Sequence, residues 1–578
     1  MNLHLSSGSG GSRLLPILQP WLWLWMGAAL IAIFQTGPMP TYSTRALGVA
    51  WEMWNSGQFL VPINNGAPYS HKVPLLFWLI HAGWAVGGVG DVWPRVLEVL
   101  IGAGVLLLAQ RLARVLFPRE PQVARLTPWL LAAFSYAFLF GLQIMYETLL
   151  ALCVLAALNA LVGRDVGQRP WFAGFALAVA AGLMSKGPVM LLHVAFPFLL
   201  GPLWHPWARK LPGQWYGRGG LALLGACAVL LCWVIPAALA GGEAYRQELL
   251  FMQTAGRVVE SFDHAQPWWW YASVTPLLLL PWLLWPRAWQ ALARVLTGRG
   301  GVGTGMLGCW LLPTGIAFSL VSGKQVYYLL PELAGVAMLL AAGLGDSERR
   351  RARSWWWSGN WLLALVAFGL SVALLLAPGW VADGRIQASD LIELTRASPW
   401  FAVAAALLGF ALLWPMRNLA QVVRQVSTVS IIGACIAYMM FAQTLWQRFD
   451  LTPAAVQVSA FQRHGIAVAH FRLYENQFQF LGRLQQPLLV LDDATVSEWA
   501  RRHVQGRLVY TTRNLDPADL AHADLVQPYR GEWLLIERAD VWVQRRHGGS
   551  PLPPAHPARR YPPDYWRYAA IDAAPAQG

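Results

Sequence analysis

The sequence predicts a polytopic α-helical membrane protein with about thirteen transmembrane helices, followed by a small C-terminal α/β domain. Three observations predict this class. Of the 578 residues, 56% are hydrophobic and only 12% are charged. Apolar runs of about 17 to 25 residues recur along the chain, and this length crosses a bilayer core about 30 Å thick. The chain contains 33 tryptophans, a residue that is enriched at the membrane–water interface of membrane proteins.

The predicted spans are separated by loops that carry most of the charge. Their limits are 18–36, 93–117, 126–143, 145–163, 171–185, 187–204, 219–241, 268–286, 303–321, 325–344, 356–378, 398–416 and 428–446. The first span follows Arg13 and a Ser/Gly stretch, and no small-residue cleavage site stands after it. We therefore expect an anchor and not a removable signal peptide.

The distribution of lysine and arginine predicts the orientation. About 19 of these residues lie in loops on one side and about nine on the other, so the positive-inside rule places the N-terminus in the cytoplasm. The loop 37–92 then faces outward, and an odd number of spans places the C-terminus outside as well. The basic residues behind the net charge of +14 lie in the loops between spans. No basic tract interleaved with aromatic residues forms a groove of its own, so we set nucleic acid aside as a partner.

Two domains are expected. Residues 1–446 form the transmembrane part, with 37–92 as its first outer loop, and residues 447–578 form an outer α/β domain with a Pro-rich tail. Short strand-like runs ("IAVAHF", "PLLVLDD", "RLVYTT") and a capped helix at "DDATVSEWARRHVQ" indicate the α/β class. The five cysteines lie inside apolar runs, where they are expected to be small buried hydrophobic residues.

Candidate functional residues come from five polar stretches that all fall on the outer side. The first contains Arg45, His71 and Lys72 in the loop 37–92, and the second contains Tyr146 and Glu147. The third is "MSKGP" with Lys186, the fourth contains Arg257, Asp263 and His264, and the fifth is "SGKQVYYLLPE" with Lys324, Tyr327 and Tyr328. Each stretch alone fits a simpler interpretation, such as a snorkelling lysine or an interfacial aromatic belt. Several cations together near hydrocarbon favour an anionic ligand, and a lipid phosphate is the natural candidate.

The first loop resembles that of the aminoarabinose lipid A transferases and their relatives in the protein mannosyltransferase superfamily, which are GT-C glycosyltransferases. The matching residues are Arg45, Glu52, Met53, Ser56, Gly57, Pro62, Tyr69, Lys72, Pro74, Leu75 and Trp78. The similarity continues in order through Glu147, "SKGP", "PWWWY…LLLLPWLL" and "SGKQVYYLLPELAGVAMLLA". Single motifs of this kind are weak, but five in order across the membrane region are specific.

The resemblance implies a GT-C fold, a bacterial inner-membrane location and an undecaprenyl-phosphate sugar as donor. It also implies an inverting transfer to an acceptor on the periplasmic face. Charge grows on the leaving phosphate during transfer, so fixed cations there stabilise the transition state. We expect Lys72, Arg257 and Lys324 to bind that phosphate, with Tyr328 donating a hydrogen bond and Lys186 and Arg45 holding donor or acceptor.

One departure from the family pattern bears on the acceptor. An Asp-Glu pair of the family falls at Tyr42 and Ser43, and a phenol is a poor general base at neutral pH. A phosphate monoester is already anionic at pH 7 and needs no base. We therefore expect an anionic acceptor such as a lipid A phosphate, with Tyr42 at the catalytic position and Glu147 as the remaining acidic candidate.

Other interpretations remain open at this point. A catalytically impaired homologue, a transporter for a lipid-linked sugar and a non-catalytic membrane scaffold are alternatives to the transferase. No inverted repeat or broken span near the midplane favours a transporter. His71 and His264 would form a two-residue site for a divalent metal if their loops meet.

Overall fold

The structure is a computed structural model that describes residues 19–250, 265–298, 301–348, 359–385 and 393–547. Helices dominate the chain up to residue 444. In order they are α1 (Pro20–Ile33), α2 (Tyr42–Ser56), α3 (Leu75–Gly87), α4 (Val92–Leu116), α5 (Pro121–Ala132), α6 (Ser135–Gly141), α7 (Tyr146–Val162), α8 (Phe172–Lys186), α9 (Val189–Leu199), α10 (Gly201–Trp204), α11 (Pro206–Lys210), α12 (Pro212–Ala240), α13 (Gly242–Gln247), α14 (Trp270–Leu278), α15 (Pro286–Thr297), α16 (Val302–Leu320), α17 (Glu332–Glu348), α18 (Asn360–Ala382), α19 (Trp400–Leu413) and α20 (Leu419–Thr444). A short β-hairpin, β1 (Ile63–Asn64) and β2 (Ala67–Pro68), lies between α2 and α3.

Many of these helices are long or apolar enough to belong in a membrane. Within the described ranges, α4, α12, α16, α18 and α20 meet the length and hydropathy needed to cross one, and the bent pair α5–α6 makes a sixth candidate. Seven shorter apolar helices accompany them: α1, α3, α7, α8, α9, α17 and α19. Helix is present in every range that the sequence predicts as a span. The number of crossings stays a prediction.

Two predicted spans are interrupted, and the two interruptions contact each other. Helices α5 and α6 meet at 61°, and α14 ends at Leu278 before the 3₁₀ turn Trp282–Leu284. The amide of Ser135 donates to the carbonyl of Leu280 at 3.0 Å, and the indole of Trp282 donates to the carbonyl of Leu130 at 3.0 Å. Polar backbone groups need such partners in an apolar surrounding. Each interruption therefore supplies hydrogen-bond partners for backbone groups that the other leaves without an intrahelical partner.

The loop 37–92 contains more regular structure than the sequence suggests, because it includes α2, the hairpin and α3. Helix α2 buries an apolar stripe formed by Ala46, Val49, Ala50 and Met53, as expected of an amphipathic helix. It ends at Gly57, whose φ of 69° is the left-handed conformation that favours glycine at a helix end. The sequence analysis treated 37–92 as a loop and missed both helices.

The described residues from Leu451 to His547 are called here the C-terminal module. It contains α21 (Thr452–Arg463), β3 (Val468–Phe471), α22 (Gln479–Gly482), β4 (Leu489–Leu491), α23 (Val496–Arg502), β5 (Arg507–Thr512), α24 (Pro517–His522), β6 (Ala523–Tyr529), β7 (Glu532–Arg538) and α25 (Ala539–His547). The sheet has the order β4-β3-β5-β7-β6. The pairs β3–β4 and β3–β5 are parallel, whereas β5–β7 and β6–β7 are antiparallel.

The three strand-like runs of the sequence correspond to β3, β4 and β5, and the capped segment corresponds to α23. The N-cap residue of α23 is Thr495, whose side chain makes no cap hydrogen bond, and Asp492 instead stabilises the preceding turn by accepting from the Thr495 amide at 2.9 Å. Strands β6 and β7 were not predicted. The Pro-rich tail lies outside the described residues.

Close packing between α15 and α17 provides a test of the bundle. A Cβ atom added at Gly343 would overlap the backbone carbonyl of Ala291, whereas one added at Gly345 makes only an ordinary contact with Val123 at 4.0 Å. Backbone cannot rotate away as a side chain can, so Gly343→Ala must separate the helices. We expect it to lower stability by about 1–3 kcal/mol, measured as thermal unfolding of the purified protein in detergent.

Gly345→Ala is the matched control for this experiment. It lies two residues away on the same helix and is expected to melt at or slightly above the wild-type temperature, because alanine favours helix over glycine. Equal melting temperatures for the two variants would contradict the close approach of α15 and α17.

Candidate functional site

A buried ion pair between two neighbouring helices lies at the centre of the candidate site. Lys186 Nζ is 2.8 Å from Glu147 Oε1, and the two side chains are only 10% and 7% exposed. Glu147 lies in the first turn of α7 and Lys186 in the last turn of α8. Helix dipoles favour an acidic group at the first position and a basic group at the second. The local fold therefore supports both charges.

Tyrosines surround the ammonium group of Lys186. Its Nζ lies 4.1 Å from the ring centroid of Tyr328 and 5.7 Å from that of Tyr327, which are cation–π distances. Both tyrosines come from the 3₁₀ turn Val326–Leu329 before α17. The exposed ring of Tyr42 packs edge to face on Tyr327 at 5.5 Å. Residues from three distant parts of the sequence therefore meet here.

Lys72 adds a second ammonium group from the first loop. Its Nζ lies 4.7 Å from the ring centroid of Tyr146, the residue before Glu147, and its charge acts on the Glu147 carboxylate. The adjacent His71 stacks on Tyr69 at 5.3 Å. We call Lys72, Glu147, Lys186, Tyr327 and Tyr328 the basic–aromatic cluster.

Arg45 lies beside this cluster on α2. Its guanidinium is 3.1 Å from Glu475 of the C-terminal module, and the two side chains are 30% and 23% exposed. Its charge also acts on the nearby Tyr146. Arg45 thus connects the candidate site with the C-terminal module.

Lys324 is placed differently from the other lysines. Its Nζ donates to the carbonyls of Gln266 at 2.8 Å and Val321 at 2.6 Å, and the residue is 3% exposed. The ammonium group of Lys324 therefore contacts backbone oxygens, whereas that of Lys186 contacts the rings of the basic–aromatic cluster. A role in binding the donor phosphate stays a prediction for this residue.

Two of the predicted site residues, Arg257 and His264, lie outside the described residues, as does Asp263. In the ranges that the structure describes, no group of three or more His, Cys, Asp or Glu side chains is arranged to hold a metal ion. The predicted two-residue metal site requires His264 together with His71, so it stays a prediction.

The sequence analysis missed two polar side chains that fix the start of α7. Ser43 Oγ accepts a hydrogen bond from the Ile144 amide at 3.0 Å, and Glu98 Oε1 accepts one from the Met145 amide at 3.1 Å. Both partners immediately precede Tyr146 and Glu147. A lone glutamate inside the apolar run of α4 was the available signal for Glu98, because buried carboxylates are costly unless they have a function.

The arrangement is suited to bind an anion. The ammonium groups of Lys72 and Lys186 both act on the Glu147 carboxylate, and tyrosine rings lie against each of them. Phosphate is the anion that such a set of cations and donors matches at a membrane boundary.

Comparisons with known proteins identify the fold. The structure resembles ArnT from Cupriavidus metallidurans bound to undecaprenyl phosphate, with a TM-score of 0.69 and 17% identity, covering 89% of this chain and 98% of that chain. A family model described as dolichyl-phosphate-mannose-protein mannosyltransferase matches residues 71–233. The fold is therefore that of the multi-pass GT-C membrane glycosyltransferases.

Sequence relatives define the family more narrowly. An undecaprenyl phosphate-α-4-amino-4-deoxy-L-arabinose arabinosyl transferase 2 of Pseudomonas fluorescens (strain Pf0-1) is 30% identical over 409 residues, which cover 65% of this chain and 71% of the relative. An arabinosyl transferase of Pseudomonas aeruginosa (strain LESB58) is 29% identical over 382 residues, covering 60% and 66%. The chain belongs to this family of aminoarabinose transferases, which confirms the resemblance found in the sequence.

The buried pair makes a testable prediction about stability. Replacing Lys186 by Met leaves the Glu147 carboxylate buried without its nearest partner, which we expect to cost about 3–5 kcal/mol. The double variant Glu147→Gln/Lys186→Met removes both charges and is expected to recover much of this loss. Thermal unfolding in detergent measures both changes.

Lys210→Met is the control, because this lysine is exposed at the end of α11. Equal losses in the single and double variants would contradict a coupled pair.

Proposed function

We propose that this chain transfers a sugar from an undecaprenyl-phosphate donor to an anionic acceptor, a phosphate of lipid A, at the periplasmic face of the bacterial inner membrane. The observation that carries the proposal is the convergence of Lys72 and Lys186 on Glu147, with the ring of Tyr328 against Lys186. Lys72, Lys186 and Tyr328 come from the first loop, α8 and the turn before α17. The names of the relatives, which are undecaprenyl phosphate-aminoarabinose arabinosyl transferases, support the same donor class.

In this proposal the basic–aromatic cluster binds the donor phosphate. As the bond between the anomeric carbon and the phosphate oxygen breaks, negative charge grows on polyprenyl phosphate. Fixed ammonium groups stabilise that charge more in the transition state than in the ground state. Within the described residues, Lys72 and Lys186 are the cations of the basic–aromatic cluster. In the proposal, Tyr328 donates a hydrogen bond to the donor phosphate. Arg257 and Lys324 complete the proposed donor-phosphate set from the sequence motifs.

The acceptor in this proposal supplies its own negative charge. Tyr42 stands where the resemblance places an acidic residue, and its ring packs against Tyr327, so this position offers no carboxylate. An incoming phosphate oxygen attacks the anomeric carbon and inverts it, and no proton has to leave an acceptor hydroxyl. Arg45 is placed to hold such a phosphate. Glu147 orients Lys186 through its 2.8 Å contact and is the carboxylate within reach if a proton must move.

The proposed topology follows from charge distribution. The N-terminus is cytoplasmic, and the first loop and the C-terminal module lie in the periplasm, which puts the basic–aromatic cluster at the outer boundary of the membrane. Both lipid substrates then reach it from the outer leaflet.

Mass spectrometry of lipid A tests the proposal. Cells that contain the protein are expected to yield lipid A heavier by one sugar on a phosphate, and cells without it are not. Lys72→Ala should reduce the modified fraction, and the purified variant should be about 100-fold slower. Lys210→Ala, an exposed lysine away from the cluster, should retain wild-type activity.

Several outcomes would contradict the proposal. Transfer to a protein or sugar hydroxyl with no modification of phosphorylated lipid A would show a different acceptor. Movement of the lipid-linked sugar across vesicles without transfer would indicate a transporter. A folded protein without any transfer would indicate an impaired homologue.

A further inference from the structure

One segment of the C-terminal module docks directly on the first loop. Residues 474–488, called here the docking segment, reach both α2 and the hairpin. The indole of Trp51 donates to the carbonyl of Leu484 at 2.8 Å. The side chain of Asn65 donates to the carbonyl of Leu488 at 2.8 Å and accepts from its amide at 2.8 Å. The side-chain amide of Asn65 thus satisfies both backbone polar groups of Leu488.

Glu52 joins three pieces of chain at this interface. Its Oε1 accepts from the Asn65 amide at 2.8 Å and from Asn476 Nδ2 at 2.7 Å. Its Oε2 accepts from the Gly66 amide at 2.7 Å. Helix α2, the hairpin and the docking segment are therefore fixed to one carboxylate. Burial raises the pKa of Glu52 to about 7, although these three hydrogen bonds oppose the rise.

Asn476 is held in this position by its own backbone. It is fully buried, and its φ of 62° lies in the left-handed region, which asparagine tolerates better than most residues. Helix α2 approaches it so closely that a Cβ atom added at Gly48 would lie 2.6 Å from the Asn476 carbonyl oxygen. Glycine at 48 is thus required for the contact.

The docked elements also carry the proposed site. Helix α2 holds Tyr42 and Arg45 on the same rigid rod as Gly48 and Glu52, and the hairpin that ends at Pro68 is followed within four residues by Lys72. Arg45 contacts the docking segment through Glu475. A shift of the docking segment would therefore move both cations relative to Glu147 and Lys186.

We propose that Asn476 is a positioning residue, through which the C-terminal module sets the position of Arg45 and Lys72 in the site. This inference rests on the proposed transferase function for its activity readout. The C-terminal module would then contribute to the reaction by positioning groups of the first loop. This role requires neither a binding partner nor a catalytic group in the module itself.

The first test combines hydrogen exchange with kinetics on the full-length protein. Asn476→Ala and Gly48→Ala are expected to speed amide exchange in residues 42–56 while leaving exchange in α4 unchanged. We expect kcat/KM for sugar transfer to fall about 10- to 100-fold, since displacement of catalytic groups by about 1 Å has effects of this size. The fall should appear mainly in kcat, because Lys72 is proposed to stabilise charge that grows in the transition state.

Matched controls lie close by in the chain. Asn514→Ala changes an exposed asparagine of the same module, and Gly87→Ala changes a glycine at the end of α3 with open space around it. Both should retain wild-type exchange and activity.

The second test uses pH to separate positioning from simple loss of structure. Asn476→Asp places a carboxylate against Glu52, and two adjacent carboxylates can share one proton. The docking segment brings three charged or titratable groups to this interface: Glu475, which pairs with Arg45, the Tyr474 hydroxyl, and Arg483, whose guanidinium lies over the ring of Trp51 next to Glu52. The two hairpin partners of Glu52 are uncharged backbone amides.

The sign of the pH effect follows from the raised pKa. A carboxyl whose pKa is raised on folding contributes stability below its ordinary value near 4.5, and this contribution is lost as pH rises through about 7. Docking in Asn476→Asp should therefore persist at pH 6 and fail at pH 8. Relative to wild type at each pH, its kcat/KM should be at least tenfold higher at pH 6 than at pH 8. The ratio for Asn476→Ala should not change.

The outcomes separate this inference from the proposed function. Faster exchange in α2 with undiminished transfer would overturn the positioning role, and unchanged exchange in both variants would overturn the docking itself. If wild-type protein transfers no sugar, the transferase proposal fails, and the exchange data still test the docking.

Discussion

The ion pair between Lys186 and Glu147 is the interaction on which the rest of the site depends. Charges close to hydrocarbon are costly unless they are paired or face a polar cavity, and this pair joins the first turn of α7 to the last turn of α8. Its position is fixed by hydrogen bonds that the backbone amides before α7 donate to Ser43 and Glu98. The tyrosines and Lys72 arrange around it.

The site is assembled from parts that have little stability alone. The first loop contains two short helices and a two-residue hairpin, and such elements need packing partners to be stable. The bundle supplies one partner surface and the docking segment supplies another. A module that follows the last apolar helix therefore contributes to the order of a loop about 400 residues earlier in the chain, as the Asn476–Glu52 contact illustrates.

Much of the fold could be predicted because hydrophobic patterning is local. Each predicted apolar range contains helix, and the runs around β3, β4 and β5 are recognisable from their β-branched residues. The kinks were missed because a run such as 126–143 has the same apolar content whether it is straight or bent. Strands β6 and β7 were missed because their polar edges, as in "EWLLIER", hide the alternation. Helices α2 and α3 were missed because their loop was judged by its polarity.

The site was predicted unevenly for a related reason. Lys72, Glu147, Lys186 and Tyr328 were found because charged or phenolic groups next to apolar runs are conspicuous, and the family resemblance supplied their order. Lys324 is equally conspicuous, yet its ammonium group satisfies backbone carbonyls, a contact that no sequence pattern announces. Glu475 and Asn476 were missed because their partners, Arg45 and Glu52, are remote in sequence and only the three-dimensional structure pairs them.

The paired interruptions near Ala132 and Leu280 have a consequence for how such proteins can diverge. Straightening one kink would strand the carbonyl or amide of the other in hydrocarbon, so neither can be repaired by a single replacement. Related sequences should therefore have both kinks or neither. A graft of one kinked segment into a homologous protein should succeed only when the other segment is transferred as well.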